Sequence, residues 1–188
     1  MSEALEELFL FGEEKMEKAL NQLRREFGSI RSGRANPMIL DKVMVDYYGA
    51  PTALRQMSQV TVQDGTTLVI SPYDKTAMKE IEKAIIKAEI GVPPNSDGIV
   101  LRLAFPPLTE ERRKEITKDV KKLGEEAKVA VRNARRDMVD DLKKLEKSEN
   151  LPEDAVKDKQ DEIQKLTDKY VAIVDRAVEE KEKEVLTV

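Results

Sequence analysis

Between Pro107 and Pro152 no proline interrupts the chain. A stretch of that length with helical periodicity favours one long rod, and the rod constrains everything around it. The spacing predicts a helix from the candidate N-cap Thr109 to about Ser148, with Glu110 and Glu111 suited to its positive start. Roughly 40 residues at about 1.5 Å each span on the order of 60 Å. Glu149-Asn150 reads as a turn, and Pro152 opens a further helix with Glu153 and Asp154 in its first turn. There Ile163, Leu166, Tyr170, Ile173 and Ala177 mark an apolar seam of 3-4-3-4 spacing. Near the N-terminus Met16, Leu20, Leu23, Phe27 and Ile30 mark a matching 4-3-4-3 seam. Gly28, Ser29, Ser32 and Gly33 weaken that first helix, and Pro37 disfavours its continuation past Asn36. No helix can bury its seam alone, so the three are expected to form a bundle.

Residues 38–105 follow a different rhythm. Val43, Val45 and Tyr47 alternate with Met44, Asp46 and Tyr48, which predicts a strand closed by Gly49-Ala50-Pro51. Val60 and Val62 begin another, Asp64-Gly65 reads as a hairpin turn, and Thr67 to Ile70 returns as its partner until Pro72. A short amphipathic helix follows, with Met78, Ile81 and Ile85 inward, Asp74 as N-cap and Gly91 as its stop. Ile99, Leu101, Leu103 and Phe105 alternate as a last strand. The fold class expected is α+β: a bundle of residues 1–30 and 106–188, with a small β/α/β domain, 31–105, inserted between its first and second helices. The chain crosses between the domains at about 31–36 and 105–107, and a paired crossing of this kind can act as a hinge. Arg31, Ser32, Gly33, Phe105, Pro106 and Pro107 are its residues.

Composition removes whole classes of function. With no Cys and no His, disulfides, thiol nucleophiles, Cys/His zinc sites and His general bases are excluded. Unbroken apolar runs such as Leu8 to Phe11 are far too short to span a bilayer. Glu3, Glu6 and Glu7 stand where a secretory leader would be positive, so a cytoplasmic protein with no membrane partner is expected. Neither GxGxxG nor GxSxG occurs. Gly28 to Gly33 has the glycine spacing of a P-loop, but Arg34-Ala35 stands where Lys and Ser or Thr are required. The carboxylates lie on polar helix faces, where solvation accounts for them. The reading is of a protein that is not an enzyme and needs no cofactor or metal, and sealed seams favour a monomer.

The net charge of -4 conceals a basic segment. Residues 112–136 hold 10 basic and 4 acidic side chains, whereas residues 137–188 hold 10 and 16. Binding responds to the local field rather than to the total. On a helical wheel Lys114, Lys118, Lys121, Lys128, Arg132, Arg136 and Lys143 fall within about 40° of Arg132, and Arg135 sits about 60° to one side. Ile116, Leu123, Ala127, Ala130, Ala134 and Leu145 point roughly the other way. Only Glu125 interrupts this ridge among the charged positions. Guanidinium forks suit bidentate phosphate contact, and no aromatics interleave, so phosphate and shape contact with a duplex or folded RNA fits better than base stacking.

Other candidates are open at this level. Arg31 and Arg34 at the crossing either bind phosphate or tie the domains together. Arg112 and Arg113 oppose the dipole of the helix they begin, so RNA or an acidic side chain of the first helix is expected to compensate them. A coiled-coil adaptor using the ridge on a protein partner, or a small hydrolase with a pocket in 38–105, would be the rival classes.

The blocks Ile30-Arg31-Ser32-Gly33-Arg34-Ala35-Asn36-Pro37, Val45-Asp46-Tyr47-Tyr48-Gly49, Pro106-Pro107-Leu108-Thr109-Glu110-Glu111-Arg112-Arg113-Lys114, Val129-Ala130-Val131-Arg132-Asn133-Ala134-Arg135-Arg136 and Ile163-Gln164-Lys165-Leu166-Thr167-Asp168 resemble the bacterial ribosome recycling factor family. The likeness covers essentially the whole chain, in order. It departs at Pro93, where the family more often has Asn. The resemblance implies an L-shaped two-domain protein with a flexible hinge. It also implies a translation factor that binds the post-termination ribosome. With elongation factor G and GTP hydrolysis on that partner, the factor would separate the subunits and release mRNA and deacylated tRNA. The bundle is implied to contact the 50S subunit through 23S ribosomal RNA. The family's basic positions fall here on Arg31, Arg112, Arg132 and Arg135, with Arg136 and Lys128 beside them; Lys121 and Arg113 complete the candidate rRNA-binding set.

Overall fold

The computed structural model describes residues 2–32 and 34–186, so Gly33, expected at the hinge, lies outside the described residues. The element order is α1 (Glu3–Ser29), β1 (Met44–Tyr47), β2 (Ala50–Ala53), α2 (Leu54–Met57), β3 (Ser58–Gln63), β4 (Thr67–Pro72), α3 (Met78–Lys87), β5 (Asn95–Ser96), β6 (Leu101–Ala104), α4 (Glu110–Ser148) and α5 (Glu153–Leu186). The chain divides into two compact units, Met1–Phe27 with Thr117–Glu182, and Gly28–Ile116 with Lys183–Val188.

The first unit is a three-helix bundle. On α1 the buried line runs Leu5, Leu8, Gly12, Met16, Leu20, Leu23 and Phe27. On α4 it runs through Val120, Gly124, Ala127, Val131, Ala134, Met138 and Leu142, all at helical spacing. Each pair of helices touches. A Cβ built on Gly12 of α1 would lie 2.2 Å from Met138 Sδ of α4, and one on Gly124 of α4 would lie 2.4 Å from Val178 Cγ2 of α5. The two glycines therefore leave the room that side chains of neighbouring helices fill. Between α5 and α1 the Tyr170 hydroxyl donates to Glu17 Oε2 at 2.6 Å, with Glu13 Oε1 at 3.1 Å. Burial and these two carboxylates push the Tyr170 phenol well above its ordinary range.

The seam of α5 differs in detail from the expected one. Ile163 and Tyr170 are buried as expected, but Leu166, Ile173 and Ala177 only flank the seam. Its line passes through Val156, Thr167, Val174 and Lys181 instead. Thr167 fits because its hydroxyl donates to the Ile163 carbonyl at 2.8 Å, so no polar atom is left unpaired. A search that counts only apolar side chains cannot see such positions.

In the second unit β3, β4, β6 and β5 form one antiparallel sheet in that order, and β1 pairs with β2 in a separate hairpin. Leu40, Val43, Val45, Leu54, Leu68, Ile70, Ile81, Ile85, Leu101 and Leu103 make its core, each no more than 1% exposed. The Asp64-Gly65 turn joins β3 to β4 as predicted, with Asp64 and Gly65 both at positive φ. Three expectations are corrected. Gly49 closes β1 as expected, but Ala50 and Pro51 do not belong to the turn: Tyr48 and Gly49 adopt positive φ in a two-residue turn, and Ala50 to Ala53 returns as β2 with Pro51 opposite Asp46. Gly91 does not stop α3; the helix ends at Lys87, and Glu89 with φ 52° takes the left-handed position before Gly91 is reached. Ile99 is 61% exposed and belongs to a turn, because Asp97 Oδ1 accepts the Ile99 and Val100 amides at 2.9 and 2.8 Å.

Both segments expected as crossings, 31–36 and 105–107, lie inside the second unit and dock on the tip of the β3–β4 hairpin. The Ala35 amide donates to the Gly65 carbonyl and the Phe105 amide to the Thr66 carbonyl, each at 2.9 Å. Asp74 accepts from the Thr76 amide at 3.0 Å, so it caps the 3-10 turn leading into α3, and it also accepts from Tyr47 Oη at 2.7 Å.

Candidate nucleic-acid interface

Helix α4 is the platform of the expected site. Thr109 Oγ1 accepts the Arg112 amide at 3.1 Å, confirming the cap, and the helix then runs 39 residues. Its buried line is centred about 120° from Arg132 rather than directly opposite. Accordingly Ile116, Ala127 and Ala134 are buried as expected, whereas Leu123 and Leu145 are half-buried and Ala130 is exposed. This rotation carries the packed face toward one edge of the basic ridge, and the members on that edge feel it.

Lys114, Lys118, Lys121, Arg132, Arg136 and Lys143 are exposed, while Arg135 and Lys128 are half-buried. Lys118, Lys121, Arg132, Arg135 and Arg136 form no ion pair among the described residues. Their charge is therefore available to an outside anion. Lys128 is in a different condition. Its ammonium lies 2.8 Å from Asp175 Oδ1 of α5 and 2.8 Å from Glu125 Oε1, and its side chain is only 16% exposed. Hydrogen bonds to Asp175 and then to Glu125 raise its pKa, so it stays charged but is already neutralised. The wheel reveals Glu125 from sequence, but Asp175 comes from another helix and needs the tertiary structure. Exposed Val129 and Asn133 stand on the same side of the helix as Arg132 and Arg136.

The remaining candidates lie in the second unit. Arg31 is half-buried, its guanidinium carbon 5.6 Å from the centre of the Phe105 ring, and it donates to the Pro106 carbonyl. Burial, and then the nearby charge of Arg112, lowers its pKa. Ser32 is buried, and its hydroxyl donates to Glu184 Oε1 at 3.1 Å. Arg31 thus ties the segment 31–36 to Phe105 and Pro106, and Ser32 ties the same segment to the end of α5. Arg112 is paired with Glu115 on its own helix at 2.7 Å, not with α1, and Arg113 is half-buried. Pro107 is exposed.

A model of the family described as "Ribosome recycling factor" matches residues 23–186. The chain belongs to the ribosome recycling factor family. It is 57% identical over 175 residues to the ribosome-recycling factor of Bacillus velezensis, covering 93% of this chain and 95% of the relative. A solution structure of a ribosome recycling factor superposes over the whole of both chains with a TM-score of 0.85 at 36% identity. A second solved structure matches over the whole of both chains with a TM-score of 0.69 at 43% identity. It places the Thermus thermophilus recycling factor, with Escherichia coli elongation factor G, on the E. coli post-termination complex. The expected family and mixed helix–sheet fold are thereby established, and the protein is a factor of translation. No helix among the described residues is long and apolar enough to cross a membrane.

Proposed function

We propose that the protein grips 23S ribosomal RNA of the 50S subunit through the exposed basic side of α4. On this reading it separates post-termination ribosomes into subunits together with elongation factor G. The observation that carries it is the row of unpaired cations, Lys118, Lys121, Arg132, Arg135 and Arg136, on one continuous helix. The solved relative on a post-termination complex with elongation factor G supports the choice of partners. GTP is hydrolysed on that partner, and the factor itself contributes position and force rather than a chemical step. The small domain, 31–105, moves against the bundle at about 31–36 and 105–107, with Arg31 keeping the two crossings together as they flex. The rigid helices turn the partner's push into strain on the contacts that join the subunits, so that mRNA and deacylated tRNA are released. The work is done in the cytoplasm by a monomer.

The double substitution Arg132→Ala with Arg135→Ala tests this reading by cosedimentation with 50S particles across a salt series. Each phosphate contact contributes about 0.9 to the slope of log K against log salt, so the variant is expected to lose about 2 from that slope. Its melting temperature stays close to that of the parent chain, because neither guanidinium forms an ion pair among the described residues. Undiminished binding would remove the ridge from the function. Salt-insensitive binding to a protein partner instead would favour an adaptor.

A further inference from the structure

The ridge on α4 is not continuous. Lys118, Lys121 and the exposed Lys122 form one group, and Arg132, Arg135 and Arg136 form another. Lys121 and Arg132 are separated along the helix axis by about 16 Å, twice the screening length of about 8 Å at physiological salt. Between them the ridge carries Glu125 and the Lys128 ammonium, which Glu125 and Asp175 enclose. Two carboxylates around one ammonium leave this interval locally negative. A phosphate placed there would be repelled, and Lys128 would have to give up two short ion pairs to reach it.

We propose that α4 holds duplex RNA by two separate cationic feet, one on each backbone strand, with the Glu125–Lys128–Asp175 knot facing the groove between them. The inference rests on the RNA-binding reading above and sharpens it. A single strand laid along α4 would bring phosphates past the knot at every step, whereas a duplex crossed at its wide, shallow minor groove offers phosphates at both sides and none over the middle. The knot therefore acts as a specificity element: it favours paired RNA by penalising a continuous phosphate track. Exposed Val129 stands between the feet, where it can rest against the sugars of such a groove without an unsatisfied polar group.

The experiment compares salt slopes for 50S subunits and for poly(U) as a single-stranded probe, using the full chain. In Lys128→Met the cation is gone but the aliphatic stem remains, and the 50S slope is expected to be unchanged. A loss of about 0.9 from that slope would make Lys128 an ordinary phosphate contact and overturn the two-footed grip. In the double variant Glu125→Gln with Asp175→Asn the freed ammonium is expected to steepen the poly(U) slope by about 0.7 while leaving the 50S slope as it was. Equal steepening for both ligands, or none for poly(U), would overturn the proposal. Failure of the unsubstituted protein to bind 50S particles, or an Arg132→Ala/Arg135→Ala variant that keeps its full slope, would instead bring down the parent reading.

Discussion

The two compact units are held by different kinds of interaction. In the bundle, long apolar lines and two small glycines dominate the packing, with carboxylates entering beside them at the Tyr170 and Lys128 contacts. The second unit has a comparably dry core, but several of its turns are fixed by ionised carboxylates. Asp97 accepts the Ile99 and Val100 amides and pairs with Arg102 at 2.7 Å, while Asp74 holds Thr76 and Tyr47. Those hydrogen bonds hold both carboxyl groups below the usual carboxylate range, most strongly for Asp97. Short strands cannot set their own ends, and polar turn chemistry does it for them. A long helix needs such devices only at its two termini.

Replacing a core side chain should separate the units most sharply. Ile70→Ala, at a fully buried position of β4, is expected to cost about 3 kcal/mol. Hydrogen exchange should then accelerate across 44–104 while residues 117–148 keep their protection. Equal acceleration in both would show that the units unfold as one.

A smaller effect is expected from Gly124→Ala. The new methyl meets Val178 Cγ2, a stiff β-branched side chain, at a distance no real pair adopts. Overpacking of about 2 kcal/mol outweighs the gain of about 1 kcal/mol in helix propensity, and chemical denaturation would report the net loss. Gly12→Ala should be milder, since the obstructing atoms are the flexible end of Met138. If Gly12→Ala proved the more damaging, the argument from stiffness would be wrong.

The mildest change concerns pH. Because the folded-state pKa of Asp97 is depressed, its contribution is fully present above the ordinary carboxylate value of about 3.9 and fades as pH falls below it. Amide protection in 95–104 should therefore drop between about pH 4 and pH 2, and Asp97→Asn should flatten that dependence. An Asp97→Asn variant that kept the full dependence would detach it from that carboxyl group.

What could be read without coordinates follows from the range of the forces involved. Helix periodicity is local, so α1, α4 and the start of α5 were legible, down to the Thr109 cap and the Asp64-Gly65 hairpin. The return strand β2 is hidden in the sequence because Pro51 reads as a terminator, yet an edge position needs no amide donor. Lys181 on the α5 seam was invisible because burial of a polar residue depends on its neighbours in space.

The same division holds for the functional surface. Sequence alone determined that α4 carries its cations along one side, since that depends only on residue spacing and the helical repeat. Only the tertiary structure decided which of those cations remain available. Lys128 and Arg132 stand one turn apart, but Asp175 reaches the first from a helix more than 40 residues later and leaves the second free. Charge is written residue by residue, whereas its neutralisation depends on which distant groups the packed helices bring within a few ångströms.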